Sequence, residues 1–470
     1  MAQTVGTPEN PLRVAIVGSG PAGFYAAGQL LSHGEITATA DVFDRLATPW
    51  GLVRYGVAPD HPKIKSVTRV YEKTARKPGF RFHGNVEIGT DLSHEELASA
   101  YHAVIYACGA AADRRLGIPG EDLRGSHAAT EFVAWYNGHP DYCDHEFDLS
   151  GRRAVVVGNG NVALDVARML ALDVDELRVT DTADHAIEAL EASSIEEIVV
   201  LGRRGPAQAA YTNPELRELA ELADADVIVD PADVELDPAS RAYLESDAAD
   251  VTARNNVEIV TEYSRRRPEG KRRRIVLRFC VSPVEIVGDD RVEGVRIVRN
   301  ELVADEHGRI SARPTGETEL IPCDLVLRSI GYRGTPMPGV PFDEQRGTFH
   351  NSGGRVTHVG TEDPLPGVYT AGWVKRGPSG VIGTNKKCAQ ETVDRLIEDL
   401  QAGALPEPAV EPDTLLEALG ERGVEVVDYA GWELIDAHER ALGEPHGRPR
   451  VKLVRRAEHL LHAAADKVRR

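Results

Sequence analysis

The amino-acid sequence predicts an α/β fold organised around buried parallel strands, and three observations carry the prediction. Val14–Val17 is a short apolar run rich in β-branched residues, followed by Gly18, Gly20 and Gly23 and then by a helical stretch from Phe24 to Leu31. The same order returns at Ala154–Val157, with Gly158 and Gly160 in the turn, Ala163 in the third position and a helix through Leu164–Leu172. Three more buried strands end in small-residue turns, at Ala103–Ala110, Cys323–Tyr332 and Gly367–Gly372. A chain of 470 residues has length for about two to three domains.

In the first turn each glycine has a mechanical task. Gly18 makes the tight turn, Gly20 lets a pyrophosphate approach the backbone, and Gly23 lets helix and strand pack closely. The free N–H groups and positive dipole end of the helix then face the phosphates. Asp44 ends the next strand, Ala40–Phe43, at the distance along the chain where an acid accepts from a ribose hydroxyl. The turn reads as a dinucleotide seat.

Thr48–Ser66 is broken by prolines and glycines and reads as loop. It carries Trp50, Arg54, Tyr55, His61, Lys63 and Lys65, a load that marks it as functional rather than connecting. Strand-like pieces follow at Phe80–Phe82 and Val86–Ile88, and Cys108 reads as a small core residue inside the apolar strand.

After the second turn, the strand Ile198–Leu201 runs into Gly202-Arg203-Arg204-Gly205 instead of an acid. An acid would repel a 2′-phosphate, whereas guanidinium groups grip it. Two charged hydrogen bonds at roughly 1.5–3 kcal/mol each favour NADP over NAD by about 10²- to 10⁴-fold. Asp173–Ser194 is an inserted helical excursion, and Pro214 opens a helix that places Glu215 and Glu218 on one face. Ser264–Arg274 joins two strand-like runs through Pro-Glu-Gly and reads as a basic hairpin, with seven cations in its last ten residues. In the last third, Trp373–Asn385 forms a glycine-rich turn into a helix Lys387–Leu400. Helical stretches follow at Thr414–Leu419, Trp432–Ala441 and Leu453–Val468.

With 54 basic against 74 acidic residues, the formal charge is −20. Such a surface disfavours nucleic acid and anionic membranes as partners. Five scattered cysteines contain no C-x-x-C, so zinc, iron–sulfur and dithiol redox sites lack their usual spacing and no metal is expected. No apolar run approaches the ~20 residues of a membrane span. Met1–Leu12 carries no signal pattern, which leads to the expectation of a cytoplasmic protein.

Two stretches narrow the reading. Thr48–Lys65 (T-P-W-G-L-V-R-Y-G-V-A-P-D-H-P-K-I-K) and Gly372–Lys386 (G-W-V-K-R-G-P-S-G-V-I-G-T-N-K) resemble the adrenodoxin-reductase type of ferredoxin–NADP reductase. The resemblance runs from Arg13 over nearly the whole chain and includes Gly447–Lys452. Broader two-dinucleotide flavoproteins carry Asp after the Ala-Gly of the third turn, where Trp373 stands here, as in the resembled type. Asp44 replaces the glutamate common in relatives, and the Asp173–Ser194 insertion is a second departure.

The resemblance implies two Rossmann-like (glutathione-reductase-like) domains, an NADP domain over residues 113–331 inserted in a discontinuous FAD domain of residues 1–112 and 332–470. It implies FAD on the first turn, with Gly18, Gly20, Gly23, Asp44, Leu52, Ile88 and Trp373 as contacts and Gly380, Val381 and Ile382 at the isoalloxazine end. Arg114, Asn159, Gly160, Asn161, Val162, Arg203, Arg204 and Glu215 would hold NADPH, with Gly380 also against its nicotinamide. His61 and Glu218 match polar groups placed for proton transfer. The implied activity is hydride transfer from NADPH to FAD and single-electron transfer to an acidic ferredoxin, or the reverse, in a monomer. The competing readings are a flavin- or NADP-binding sensor without turnover, a subunit like the small subunit of glutamate synthase, and a thioredoxin-reductase-like enzyme. The missing clustered cysteines weigh against the last two.

Overall fold

A computed structural model describes residues 4–464 in two compact units. The first takes the chain up to Val57, then His61–Arg114, then Gly331 onward; the second takes Ala58–Asp60 and Arg115–Ile330. Each is a Rossmann-like α/β unit, and the second interrupts the first in sequence.

In the first unit, β1 (Leu12–Val17), β2 (Ala38–Asp44), β3 (Phe80–Gly84) and β4 (Ala103–Tyr106) run parallel with Pro364–Thr370, in the order Pro364–Thr370, β4, β1, β2, β3. An antiparallel pair, Asn351–Ser352 and Arg355–Thr357, extends the sheet. Leu12 and Val14–Val17 are all buried because helices cover both faces, which is why β1 reads as an unbroken apolar run instead of an alternation. On one face α1 (Pro21–Leu30) packs with Thr384–Gln401 through Ala26, Ala27, Leu30, Ala389 and Val393. On the other, Val17 and Tyr106 meet Leu97, Leu415 and Leu419.

The second unit holds six parallel strands in the order Ser126–Ala128, Leu325–Arg328, Arg153–Val157, Glu197–Leu201, Arg273–Arg278, Ala225–Val229. A three-stranded antiparallel sheet, Val281–Val287, Gly294–Ala304 and Ile310–Pro322, buries Val295, Ile297 and Ile321 against Val155, Val199 and Leu201. The Asp173–Ser194 excursion is helical, at Val174–Leu177 and Asp184–Glu191.

Several local expectations need correction. Residues 264–274 are not a hairpin: they connect the end of helix Val251–Arg265 to the parallel strand Arg273–Arg278. The Asp226 carboxylate builds the turn by accepting from the backbone N–H groups of Glu269, Gly270 and Lys271. Val86–Ile88 forms no strand, its pairing being a single bridge from Ile88 to Leu92. Cys108 lies beyond the end of β4 and is exposed. Within Thr48–Ser66, two one-turn helices form, α2 (Leu52–Tyr55) and α3 (Pro62–Lys65), and α4 (Thr68–Ala75) follows. The last helix is Arg456–Ala463; the end of the expected Leu453–Val468 segment lies outside the described residues.

One buried cluster locks the loop around α2 in place. Arg54 is 3 % exposed and donates from both terminal nitrogens to Glu439, at 2.9 and 2.5 Å. Its guanidinium lies between Tyr55 and Trp432, 5.1 and 5.3 Å from the ring centres. Glu439 also accepts from Arg450 and from the backbone N–H of Leu453, and Lys452 donates to the carbonyl of Arg54. Removing one member strands a buried charge and costs about 3–5 kcal/mol. Burial alone would raise the Glu439 carboxyl, but Arg54 and then Arg450 hold it down at about 2. His459, buried close by, is pushed down to about 4, chiefly by desolvation.

Both groups titrate lower in the folded chain than in the unfolded one, so the unfolded chain takes up protons first and stability falls with falling pH. For His459 the loss begins below its ordinary 6.5 and is complete near 4. For Glu439 it runs from 4.5 toward 2. Thermal melts across pH are expected to show a first loss beginning below about 6.5, to which His459 contributes up to roughly 1.4 kcal/mol per pH unit. Desolvation also lowers His94, His102, His127, His185 and His462. His459→Gln should therefore make that leg shallower without abolishing it and leave the more acidic one; an unchanged upper leg would contradict the assignment.

Candidate functional site

Each unit carries a glycine cradle between a parallel strand and a helix N-terminus. In the first, Gly18 has φ +105°, and a Cβ there would sit 2.6 Å from the Ala107 carbonyl oxygen just past β4. A Cβ on Gly23 would lie 2.0 Å from the Gly18 carbonyl oxygen, so α1 is pressed against the turn that precedes it. Gly20 differs: its nearest neighbour would be the Cα of Gly51 at 4.0 Å. Two glycines face each other there, leaving backbone open to a ligand. Asp44 stands beside the turn and accepts from the Ser19 N–H at 2.9 Å and the Ser19 hydroxyl at 2.5 Å.

The facing loop is held under strain. Trp50 has φ +86°, a region costly for a bulky side chain. Its N–H donates to the Ser19 carbonyl at 3.0 Å, and its ring meets Trp432 edge-on at 4.8 Å. Leu52 begins α2, partly exposed, and Ile88 is buried. Trp373 opens a short helix, Trp373–Arg376, and its ring lies 5.3 Å from that of Tyr332. Gly380 follows with φ +79°, Val381 is exposed, and Ile382 packs on the core. The indole nitrogens of Trp50 and Trp373 and two guanidinium nitrogens of Arg376 are buried with no hydrogen-bond partner among the described residues. Such orphaned donors fit a polar ligand seated against this loop set.

The second cradle repeats the first. Gly158 has φ +133°, and its Cβ would lie 2.0 Å from the Ser329 carbonyl oxygen, just past the neighbouring strand. Gly160 is open, with the Ala210 methyl 4.0 Å away, while Ala163 carries its methyl fully buried. Helix Asn161–Ala171 starts at the turn, and Val162 lies in its first turn. The Asn161 side-chain carbonyl accepts from Thr212 N–H at 2.8 Å, and the Asn159 backbone carbonyl from Ala210 N–H at 3.0 Å. The Asn159 side-chain nitrogen is buried without a hydrogen-bond partner among the described residues.

Arg203 and Arg204 stand at the end of strand Glu197–Leu201, where Asp44 stands on β2. Their backbone is braced by the antiparallel sheet: Asn300 donates to the Arg203 carbonyl at 2.9 Å, and Cys280 N–H to that of Arg204 at 3.2 Å. Burial, then the charges of Arg203 and Arg309, hold the Arg204 guanidinium below the usual arginine range. Arg309, at the tip of the hairpin joining Gly294–Ala304 to Ile310–Pro322, is a cation that the sequence pattern alone did not single out. Its link to the turn depends on strand register, with Leu302 beside Gly205.

Glu215 and Glu218 lie on helix Asn213–Glu218 and converge on Arg168, at 3.5 and 3.6 Å. Arg168 is 2 % exposed and also pairs with Asp60 and Asp165. Arg114 belongs to the first unit, exposed, with its backbone N–H donating to the Gly331 carbonyl. His61 also belongs to the first unit, at the N-cap position of α3, and Glu218 to the second. The first cradle therefore gathers Gly18, Gly20, Gly23 and Asp44, and the second gathers Asn159–Val162, Arg203 and Arg204.

Residues 12–200 match the pyridine nucleotide-disulphide oxidoreductase family. Over 459 residues the chain is 52 % identical to NADPH-ferredoxin reductase FprA of Mycobacterium leprae, covering 96 % of this chain and 98 % of that protein. The chain belongs to the NADPH–ferredoxin reductase family. It is also 42 % identical over 467 residues to the mitochondrial NADPH:adrenodoxin oxidoreductase of Arabidopsis thaliana, covering 97 % and 96 % of the two chains. The solved structure of Mycobacterium tuberculosis FprA in complex with NADPH superposes with a TM-score of 0.91 at 50 % identity, covering 97 % of this chain and all of that one.

The two kinds of glycine separate in a test. Melting temperatures are compared on cofactor-stripped proteins, because bound ligand itself raises them. Gly20→Ala has room in the protein alone, so it should melt with the stripped parent but lose bound dinucleotide. Gly23→Ala drives a methyl into backbone and should lower the melting temperature itself. Equal melting losses for both would show that Gly20 serves packing and not a ligand.

Proposed function

We propose that this chain is an NADPH–ferredoxin reductase with FAD on the first cradle and NADPH on the second. The observation that carries the reading is the opposite charge at matching positions: Asp44 ends β2, while Arg203 and Arg204 follow Glu197–Leu201. A carboxylate suits a bare ribose, and two arginines suit a 2′-phosphate. Gly18, Gly20, Gly23, Asp44, Leu52, Ile88 and Trp373 hold FAD, with Gly380, Val381 and Ile382 at its ring end. Arg114, Asn159–Val162, Arg203, Arg204 and Glu215 hold NADPH, and Gly380 also meets its nicotinamide. When bound, FAD supplies the exchange between a two-electron nicotinamide and a one-electron carrier.

The chain's own residues bind, orient and move protons. The N–H groups at the starts of α1 and Asn161–Ala171 face the phosphates. The strained Trp50 loop and the Trp373–Ile382 turn shape the wall at the ring end. His61 and Glu218 serve proton transfer at the reacting end. The protein works as a cytoplasmic monomer with an acidic ferredoxin as partner; its five cysteines are all free thiols in the structure. Among the described residues, no helix is long and apolar enough to cross a membrane.

The deciding experiment is NADPH-driven cytochrome c reduction with and without added ferredoxin, on protein whose released flavin is identified. Ferredoxin should raise the rate, and the flavin should be FAD. A yellow protein reduced by NADPH that never passes electrons onward would favour a sensor instead. Replacing Arg203 and Arg204 together by alanine should cut the NADPH-to-NADH efficiency ratio by about 10²-fold or more. An unchanged ratio would remove them from the 2′-phosphate.

A further inference from the structure

The basic run at 264–274 is the obvious place for an acidic partner, but the fold engages five of its seven cations and leaves only Arg265 and Arg267 exposed without an ion pair to any described residue. Arg266 pairs with Glu262, Arg272 lies 4.0 Å from Asp224, and Arg274 pairs with Glu197. Arg273 is 3 % exposed and donates to the carbonyls of Ala171, Leu172 and Ile195. Lys271 reaches the Leu222 carbonyl.

A second basic run behaves differently. Residues 62–77 hold six cations and one acid in a chain of net charge −20. They form α3 and α4, joined through Ser66 and Val67, whose N–H groups close onto the carbonyls of Pro62, Lys63 and Ile64. The inner face of α4 is fixed: Tyr71 stacks on Phe24 of α1 at 5.0 Å, and Thr74 lies against Gly28. This leaves Arg69, Val70 and Lys73 on the outer face and Lys63 and Ile64 exposed on α3. Lys63, Arg69 and Lys73 make no ion pair with any described residue. Ile64 and Val70 are 41 % and 47 % exposed, two large apolar side chains set among those cations.

We propose that α3 and α4 form the docking face for an acidic iron–sulfur electron carrier, with Ile64 and Val70 as its dry centre and Lys63, Arg69 and Lys73 as its cationic rim. An apolar centre within a polar rim is the ordinary anatomy of a specific transient interface. Unneutralised cations on a strongly negative protein attract an acidic partner to this face and repel it elsewhere. The position suits the reaction. The α3 helix begins directly after His61, and α4 packs on α1, the helix of the first cradle. The inference rests on the proposed reductase function and names where its protein partner binds.

The test reverses the rim. Lys63→Glu, Arg69→Glu and Lys73→Glu are combined, and Arg265→Glu with Arg267→Glu serves as the control in the other basic run. Both proteins are assayed with NADPH and an acidic two-iron, two-sulfur ferredoxin coupled to cytochrome c, and separately with ferricyanide. The rim variant should raise the Michaelis constant for ferredoxin about tenfold or more and flatten its salt dependence. Its ferricyanide turnover and FAD content should match the parent, and the control should change little. If the triple variant loses FAD, the single Arg69→Glu variant carries the test, with an expected rise of about two- to fourfold. An unchanged Michaelis constant, or a rise in the control instead, would overturn the docking face while leaving the reductase reading intact. A parent protein that reduces ferricyanide but never ferredoxin would overturn both.

Discussion

The first unit depends on one ion pair joining residues 385 positions apart, Arg54 and Glu439. Neither charge has water to solvate it, so each exists because the other does. The pair pins α2, and α2 pins the loop that holds Trp50 in a left-handed backbone. That loop in turn places Gly51 against Gly20 at the mouth of the cradle. A side-chain pairing near the end of the chain thereby sets the shape of a backbone site near its beginning. Arg450, Lys452 and Leu453 reinforce the pair from a stretch that looks like tail in the sequence.

The two cradles share their mechanics and differ in their electrostatics. In both, the first turn glycine presses on the carbonyl just past the adjacent parallel strand, Ala107 in one and Ser329 in the other. In both, the second glycine is the open one. They differ in the side chains at the end of the next strand, a carboxylate in one unit and two guanidiniums in the other. A common backbone geometry thus carries opposite charge at matching positions.

The strands and cradles were legible because their causes are local. A β-branched run at Val14–Val17, spaced glycines and a strand-end Asp44 or Arg203 each carry their meaning within a few residues. The exceptions were features set by distant partners. Nothing near Arg54 announces Glu439, and nothing near Arg274 announces Glu197 or shows that Arg273 belongs to a buried parallel strand. Pro-Glu-Gly at 268–270 looks like a hairpin tip until Asp226 is seen to gather its N–H groups. Cys108 obeys the same rule, since a strand that ends at Tyr106 leaves it outside the core.

The interrupted sheet also bears on biosynthesis. Until Pro364–Thr370 leaves the ribosome, β4 presents an open edge, and Arg54 has no counter-charge until Glu439 arrives. The contiguous stretch Arg115–Ile330 can close earlier. Contiguity therefore favours completion of the second unit before the first, against the usual N-terminal-first order. The nascent first half must be kept from pairing through its bare edge, so the first cradle completes its sheet last.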